Sequence, residues 1–149
     1  MVSLLEQFII GSNRIEGIDR LPTGAEIAAH MAFMGLQRPT VAAMEAFVYA
    51  VQPGAVLRDR PGCNVRVGSY FPPAGGPEIP QTLARLLADV GHTEASAHDI
   101  HHRYEKLHPF TDGNGRSGRA LWLWQMGGPT RVPLGFLHHW YYQTLRYLR

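Results

Sequence analysis

The chain has 149 residues, 45% of them apolar and 17% charged, with a formal charge of +2. That is the length of one ordinary domain with a single core, and the composition excludes a disordered or low-complexity chain. The 14 Lys and Arg residues are spread along the sequence, so no clustered basic surface argues for a nucleic-acid partner.

The N-terminal stretch "MVSLLEQFIIGSN" lacks a basic leading region, and Glu6 interrupts its apolar run; it does not read as a signal peptide. No apolar run approaches the ~20 residues of a membrane-spanning helix. Cys63 is the only cysteine, which excludes an internal disulfide and points to a reducing compartment. It has no basic neighbour in sequence to activate it as a nucleophile. These features predict a cytoplasmic protein without a membrane partner.

Helical periodicity runs along most of the chain. "GAEIAAHMAFMGL" (24–36) follows Thr23, and Glu26 stands where a capping box needs it. Thr40 opens "VAAMEAFVYAV" after Pro39, placing Val41, Met44, Phe47, Val48 and Val51 on one stripe. Residues 79–90, 96–107, 115–126 and the terminal "LGFLHHWYYQTLRYLR" (134–149) bring the expected set to about six helices. Residues 57–78 break the pattern, mixing β-branched and aromatic residues with turn formers and ending near Pro72-Pro73. That predicts a short β-hairpin flap on an otherwise all-α, single-domain bundle spanning residues 1–149.

The densest chemistry lies in "HPFTDGNGRSGR", residues 108–119. Gly113 and Gly115 flank Asn114 just before a helical run, so backbone N–H groups and the helix N-terminus can receive an anion. Arg116 and Arg119, three apart, are neighbours on that helix and suit more than one phosphate. Asp112 beside an anion site makes sense if a divalent cation joins them, and Mg²⁺ is often held by one carboxylate plus substrate phosphates. His108 can take a proton from an attacking hydroxyl at neutral pH. Together these are the parts of a phosphoryl or nucleotidyl transfer site. The stretch is not a Walker loop, because the Lys-Ser/Thr pair and the preceding strand are missing. Phe110 and "ALWLW" (120–124) read as core.

The pattern resembles the HPFx(D/E)GNGRxxR signature of Fic-domain proteins at every defining position, and the wider likeness covers most of the chain. Members of that family mostly move AMP from ATP to a protein hydroxyl and release pyrophosphate. The resemblance implies that His108 is the base and that Asp112 is the ligand for Mg²⁺ or Mn²⁺. It makes Asn114 with the Gly113 and Gly115 amides the anion hole, and gives Arg116 and Arg119 the β- and γ-phosphates of ATP. It implies a Fic-like flap over residues 62–73, where Val65, Arg66, Val67, Gly68, Ser69 and Tyr70 align a segment of a target protein by backbone pairing. It also implies that the C-terminal helix lines an adenine pocket with Tyr141 or Tyr142, packing of these aromatics in the core being the equal alternative.

"SNRIEG", Ser12 to Gly17, has the form [S/T]xxxE[G/N]. In Fic proteins this motif forms an inhibitory helix, and the resemblance assigns that role to residues 9–20, with Glu16 pairing with Arg119. Such a carboxylate occupies the arginine's donors and repels a γ-phosphate. Some Fic proteins use the same glutamate to position a water and remove AMP, and nothing in the sequence separates the two roles. Relatives of the Doc type phosphorylate their targets and carry Lys where this chain has Gly115; other relatives transfer UMP or phosphocholine. A non-catalytic nucleotide-binding module is the reading from a different class, and it requires neither His108 nor Asp112. His98, His101 and His102 offer two metal ligands at helical spacing but no third, so they read as packing or surface residues. Fic proteins of this size often associate, and the sequence leaves a homo-oligomer open.

Overall fold

The computed structural model describes residues 1–91 and 96–132, and among these the chain is an all-α bundle of six helices. Helix α1 spans Leu4–Ile15, α2 Gly24–Met34, α3 Val41–Val51, α4 Glu78–Asp89, α5 Ala97–Leu107 and α6 Asn114–Met126, followed by a single 3₁₀ turn at Pro129–Arg131. The expected terminal helix at 134–149 lies outside the described residues. No helix among them is long and apolar enough to cross a membrane.

Local chemistry sets most of the starts. Thr23 Oγ1 accepts from the Glu26 N–H at 3.1 Å, and the Glu26 carboxylate accepts from the Thr23 N–H at 2.9 Å, completing the capping box. Thr40, Ser96 and Ser3 cap α3, α5 and α1 through single side-chain bonds. Pro80 sits in the first turn of α4, where a missing N–H removes no helical bond.

Helix α6 is the axis of the bundle and packs against α1, α2, α3 and α5. Its residues from Ser117 to Leu123 are all buried, which a helix surrounded on several sides requires. One core cluster joins Phe33, Met44, Phe47, Leu83, Ile100 and Leu121; a second joins Phe8 of α1 to Trp122 and Leu123 of α6. The α3 stripe is buried at Met44, Phe47, Val48 and Val51, while Val41 is only partly covered.

The flap is smaller than a pair of strands. Its only ladder is the reciprocal bonding of Val67 and Tyr70, both N···O 2.9 Å, across a two-residue turn in which Gly68 takes φ +60°. The prolines at 72 and 73 have no N–H to extend the ladder. A second bridge, Leu57 to Phe110, lays the segment before the flap antiparallel to the loop between α5 and α6.

Two histidines are built into the core. His30 lies between Phe8 and Phe47 at ring-centroid distances of 6.2 and 4.7 Å and donates from Nδ1 to the Glu26 carbonyl at 2.7 Å. Burial pushes its pKa down to about 4 and that of His101 down to about 3. Both stay neutral when folded but bind a proton near pH 6.5 when unfolded, so stability is complete above pH 6.5 and falls as pH drops towards 4. Unfolding free energies from urea titrations should decline over that window by up to about 1.4 kcal/mol per pH unit for each histidine. His30→Leu should flatten the decline, and an unchanged slope would show that His30 is not held neutral.

Candidate active site

The loop between α5 and α6 is fixed by its own sequence. His108 leaves α5 in the left-handed region, φ +50°, the only described non-glycine residue there. Its N–H still bonds the Tyr104 carbonyl at 2.9 Å, and Pro109 prevents the helix from continuing. Asn114 then closes the loop: Oδ1 accepts from the Phe110 N–H at 2.9 Å and Nδ2 donates to the Phe110 carbonyl at 2.8 Å. An amide side chain, with a donor and an acceptor on one planar group, satisfies a buried N–H and a buried C=O of the same residue together. Outside the loop, the Arg58 N–H bonds the Pro109 carbonyl and the Thr111 N–H bonds the Val56 carbonyl, each at 2.9 Å.

Helix α6 begins at this loop. Gly113 takes φ +77°, and a Cβ there would press on Gln52 and Val48 at 3.3 and 3.4 Å, so both conformation and space call for glycine. Its N–H bonds Asp112 Oδ1 at 2.8 Å, while Asp112 is exposed. Ser117 Oγ donates back to the Gly113 carbonyl at 2.8 Å and accepts from the buried Tyr104 hydroxyl at 2.6 Å. Burial raises the Tyr104 pKa far above the ordinary phenol value.

The two motif arginines part company. Arg119, 1% exposed, turns to α1: Nε donates to Ser12 Oγ at 2.7 Å, and Nη2 donates to the Ser12 carbonyl at 3.0 Å and to Glu16 Oε1 at 2.6 Å. Arg116 turns to the end of α3, where Nη1 donates to the Val51 carbonyl at 2.8 Å and Nη2 to Gln52 Oε1. Burial lowers the Arg116 pKa, opposed by Glu16 and Asp112.

Glu16 occupies a telling position. Its Oε1 stands where a Cβ on Gly115 would lie, so the carboxylate covers the first turn of α6, whose leading N–H groups have no helical acceptor. An anion therefore already sits at the expected anion site. Glu16 is the C-cap of α1, and Gly17 follows at φ +78°. The end of α1 is tied to α2 through Glu26, which accepts from Asn13 Nδ2 at 3.3 Å and from Arg20 Nη1 and Nη2 at 3.0 and 2.8 Å. The Arg20 guanidinium is the main reason that the Glu26 pKa falls to about 2.

Sequence reasoning placed Ser12, Glu16, Gly115 and Arg119 in one site, and the structure brings them into contact. The Asn114 side-chain amide is committed to Phe110 and the Gly113 N–H to Asp112, so in this state both are engaged within the loop itself. Arg116, grouped with Arg119 from the spacing, lies on the α3 side instead. The flap tip stands beside the end of α5, with the Tyr70 hydroxyl donating to the Lys106 carbonyl at 2.8 Å. Arg66 donates to the Gly68 carbonyl at 2.6 Å and stacks 5.2 Å from the Phe71 centroid. Tyr141 and Tyr142 lie outside the described residues. His98 and His102 approach each other at 4.8 Å, but no group of three or more metal-ligating side chains occurs among the described residues.

Arg58 is a site residue that the sequence did not single out. Its side chain is fully buried and donates to four main-chain carbonyls: His108 at 2.7 Å, Leu107 at 2.9 Å, Cys63 at 3.1 Å and Pro73 at 2.8 Å. Arg60, two positions on, is exposed, and nothing in "LRDRPG" distinguishes the inward arginine from the outward one.

No curated protein matches the chain. The sequence profile of the Fic/DOC family matches residues 27–126, a span that runs from within α2 to the end of α6 and holds the whole loop from His108 to Arg119 but not Ser12 to Gly17. With two thirds of its length so matched, the chain belongs to the Fic/DOC family.

Proposed function

We propose that the chain, read as a single Fic domain, is a protein AMP-transferase held off by its own Glu16. The observation that carries this reading is the carboxylate of Glu16 on Arg119, above the first turn of α6. A carboxylate there occupies the place and the donors that a phosphate of ATP would use.

In the proposed reaction His108 accepts the proton of a Ser, Thr or Tyr hydroxyl on a target protein. The hydroxyl oxygen forms a bond to the α-phosphorus as the bond to the bridging oxygen of pyrophosphate breaks, and pyrophosphate leaves. Asp112, exposed at the mouth of the loop, would hold Mg²⁺ or Mn²⁺, which neutralises phosphate charge; one carboxylate suffices when phosphates supply other ligands. The first-turn amides of α6 and Arg119 would take the phosphates once Glu16 withdraws. Arg116 would join them only by giving up Val51 and Gln52. A lysine at position 115, as in the phosphorylating relatives, has no room while Glu16 is seated, which favours nucleotidyl over phosphoryl transfer.

Purified protein with Mg²⁺ and α-labelled ATP should label itself weakly. Glu16→Gly should raise the labelling by about 5- to 150-fold, the range of a typical coupling free energy, and His108→Ala in that background should abolish it. Label from γ-labelled ATP instead would identify phosphorylation, and ATP binding without either label would identify a sensing module. Ser12→Ala should release the site less than Glu16→Gly does, because Arg119 keeps its bonds to the Ser12 carbonyl and to Glu16. Equal release by the two variants would contradict Glu16 as the blocking group.

A further inference from the structure

Three successive carbonyls at the C-terminal end of α5 need hydrogen-bond donors that the helix cannot supply. All three receive them from the segment that carries the flap. The Lys106 carbonyl accepts from the Tyr70 hydroxyl, the Leu107 carbonyl from Arg58 Nη2 and the His108 carbonyl from Arg58 Nε, at 2.8, 2.9 and 2.7 Å. The remaining guanidinium nitrogen of Arg58 reaches the two roots of the flap, the Cys63 and Pro73 carbonyls. The main chain of the same residue is engaged as well, its N–H with Pro109 and its carbonyl with the Gly76 N–H at 3.0 Å.

Arg58 makes no ion pair among the described residues, so its charge is balanced by oriented carbonyls at a helix end, where the helix dipole is negative. A buried cation of this kind holds its partners rigidly, since moving any one of them leaves a donor unsatisfied in a dry environment. One of those partners is the carbonyl of a residue in a left-handed conformation, which needs such support.

We propose that Arg58, assisted by Tyr70, is a positioning residue that locks the His108 backbone and the flap into one rigid unit. The proposal rests on the transferase reading for its meaning: base and target hydroxyl must meet within hydrogen-bond reach, and one guanidinium fixes both frames to each other. Neither Arg58 nor Tyr70 touches α1 or the first turn of α6 in the bonds described, so nucleotide binding and positioning are separable.

The test uses Arg58→Gln, Arg58→Lys and Tyr70→Phe, each in the Glu16→Gly background, with three readouts. Self-labelling from α-labelled ATP should fall by about 10- to 100-fold for Arg58→Gln, the penalty expected of a misplaced reacting group. Arg58→Lys, which keeps the charge and one or two of the bonds, should recover part of the loss, and Tyr70→Phe should lose about 2- to 10-fold, as for one hydrogen bond. Calorimetric affinity for Mg²⁺·ATP should stay within about twofold of the parent in all three. Hydrogen exchange should rise at the Tyr70, Gly76 and Thr111 amides and stay unchanged in α2 and α3.

Loss of ATP affinity in step with labelling, or a uniform rise in exchange, would reduce Arg58 to general scaffolding and overturn the proposal. Unchanged exchange at those three amides would overturn it equally. If Arg58→Gln does not fold, Tyr70→Phe, at a half-buried side chain, decides by the same pattern. If the parent shows no labelling at all, the transferase reading fails, while affinity and exchange still judge the clamp.

Discussion

The guanidinium of Arg119 is only 1% exposed, so its charge and its donors need partners inside the fold. An unpaired charge in that position is costly to the fold, which makes the partner a structural necessity as well as a chemical one. Here the partner is Glu16, whose side chain remains 38% exposed. The asymmetry has a consequence: the cation cannot leave, but the carboxylate can be exchanged for another anion that brings equal charge. Phosphate from a nucleotide is such an anion, and in the proposed cycle blocking and substrate binding become alternative ways of meeting one electrostatic demand.

The chain buries three arginines around the loop and satisfies each differently. Arg119 takes a carboxylate and a serine, Arg58 takes the carbonyls ending α5, and Arg116 takes the carbonyl ending α3 with the Gln52 side chain. Helix C-termini carry partial negative charge and so serve as acceptors without adding an ionised acid. Two buried cations are thereby held without a hydrogen bond to any carboxylate among the described residues.

What was legible in the sequence follows from the range of the physics involved. Helices α2, α3 and α5 rest on caps and periodicity within a dozen residues and α4 on periodicity, and their bounds agree with the sequence reading to within a few positions. The loop from His108 to Arg119 was legible because its glycines, proline and asparagine act on neighbours. Helix α1 was seen only through the family likeness, since its buried face carries Ser12 and Asn13 beside Phe8 and Ile9 and so lacks a clean apolar stripe. Arg58 was not legible at all: its side chain bonds Leu107 and His108, 49 and 50 positions away. Spacing put Arg116 and Arg119 on neighbouring helical positions, but it could not show that their long side chains find different partners, Val51 and Gln52 for one, Ser12 and Glu16 for the other.

In the proposed cycle, the place of Glu16 at the end of α1 decides how much of the molecule has to move to free the site. Detaching the helix would expose Phe8 and Ile9, both at 0%, at about 1.5 to 3 kcal/mol each. It would also cost Glu26 its bond from Asn13, while Arg20 and Thr23 would keep the carboxylate paired. Withdrawing Glu16 alone breaks one ion pair. The residue is the C-cap, with φ −91° and ψ 8°, and the next is a glycine at φ +78° with open space around it. Backbone freedom is thus concentrated immediately after the blocking group, while the anchors lie one to two turns before it. The smaller free-energy change is a local rearrangement at the helix end, with Ser12 still on Arg119 and α1 still seated on α6.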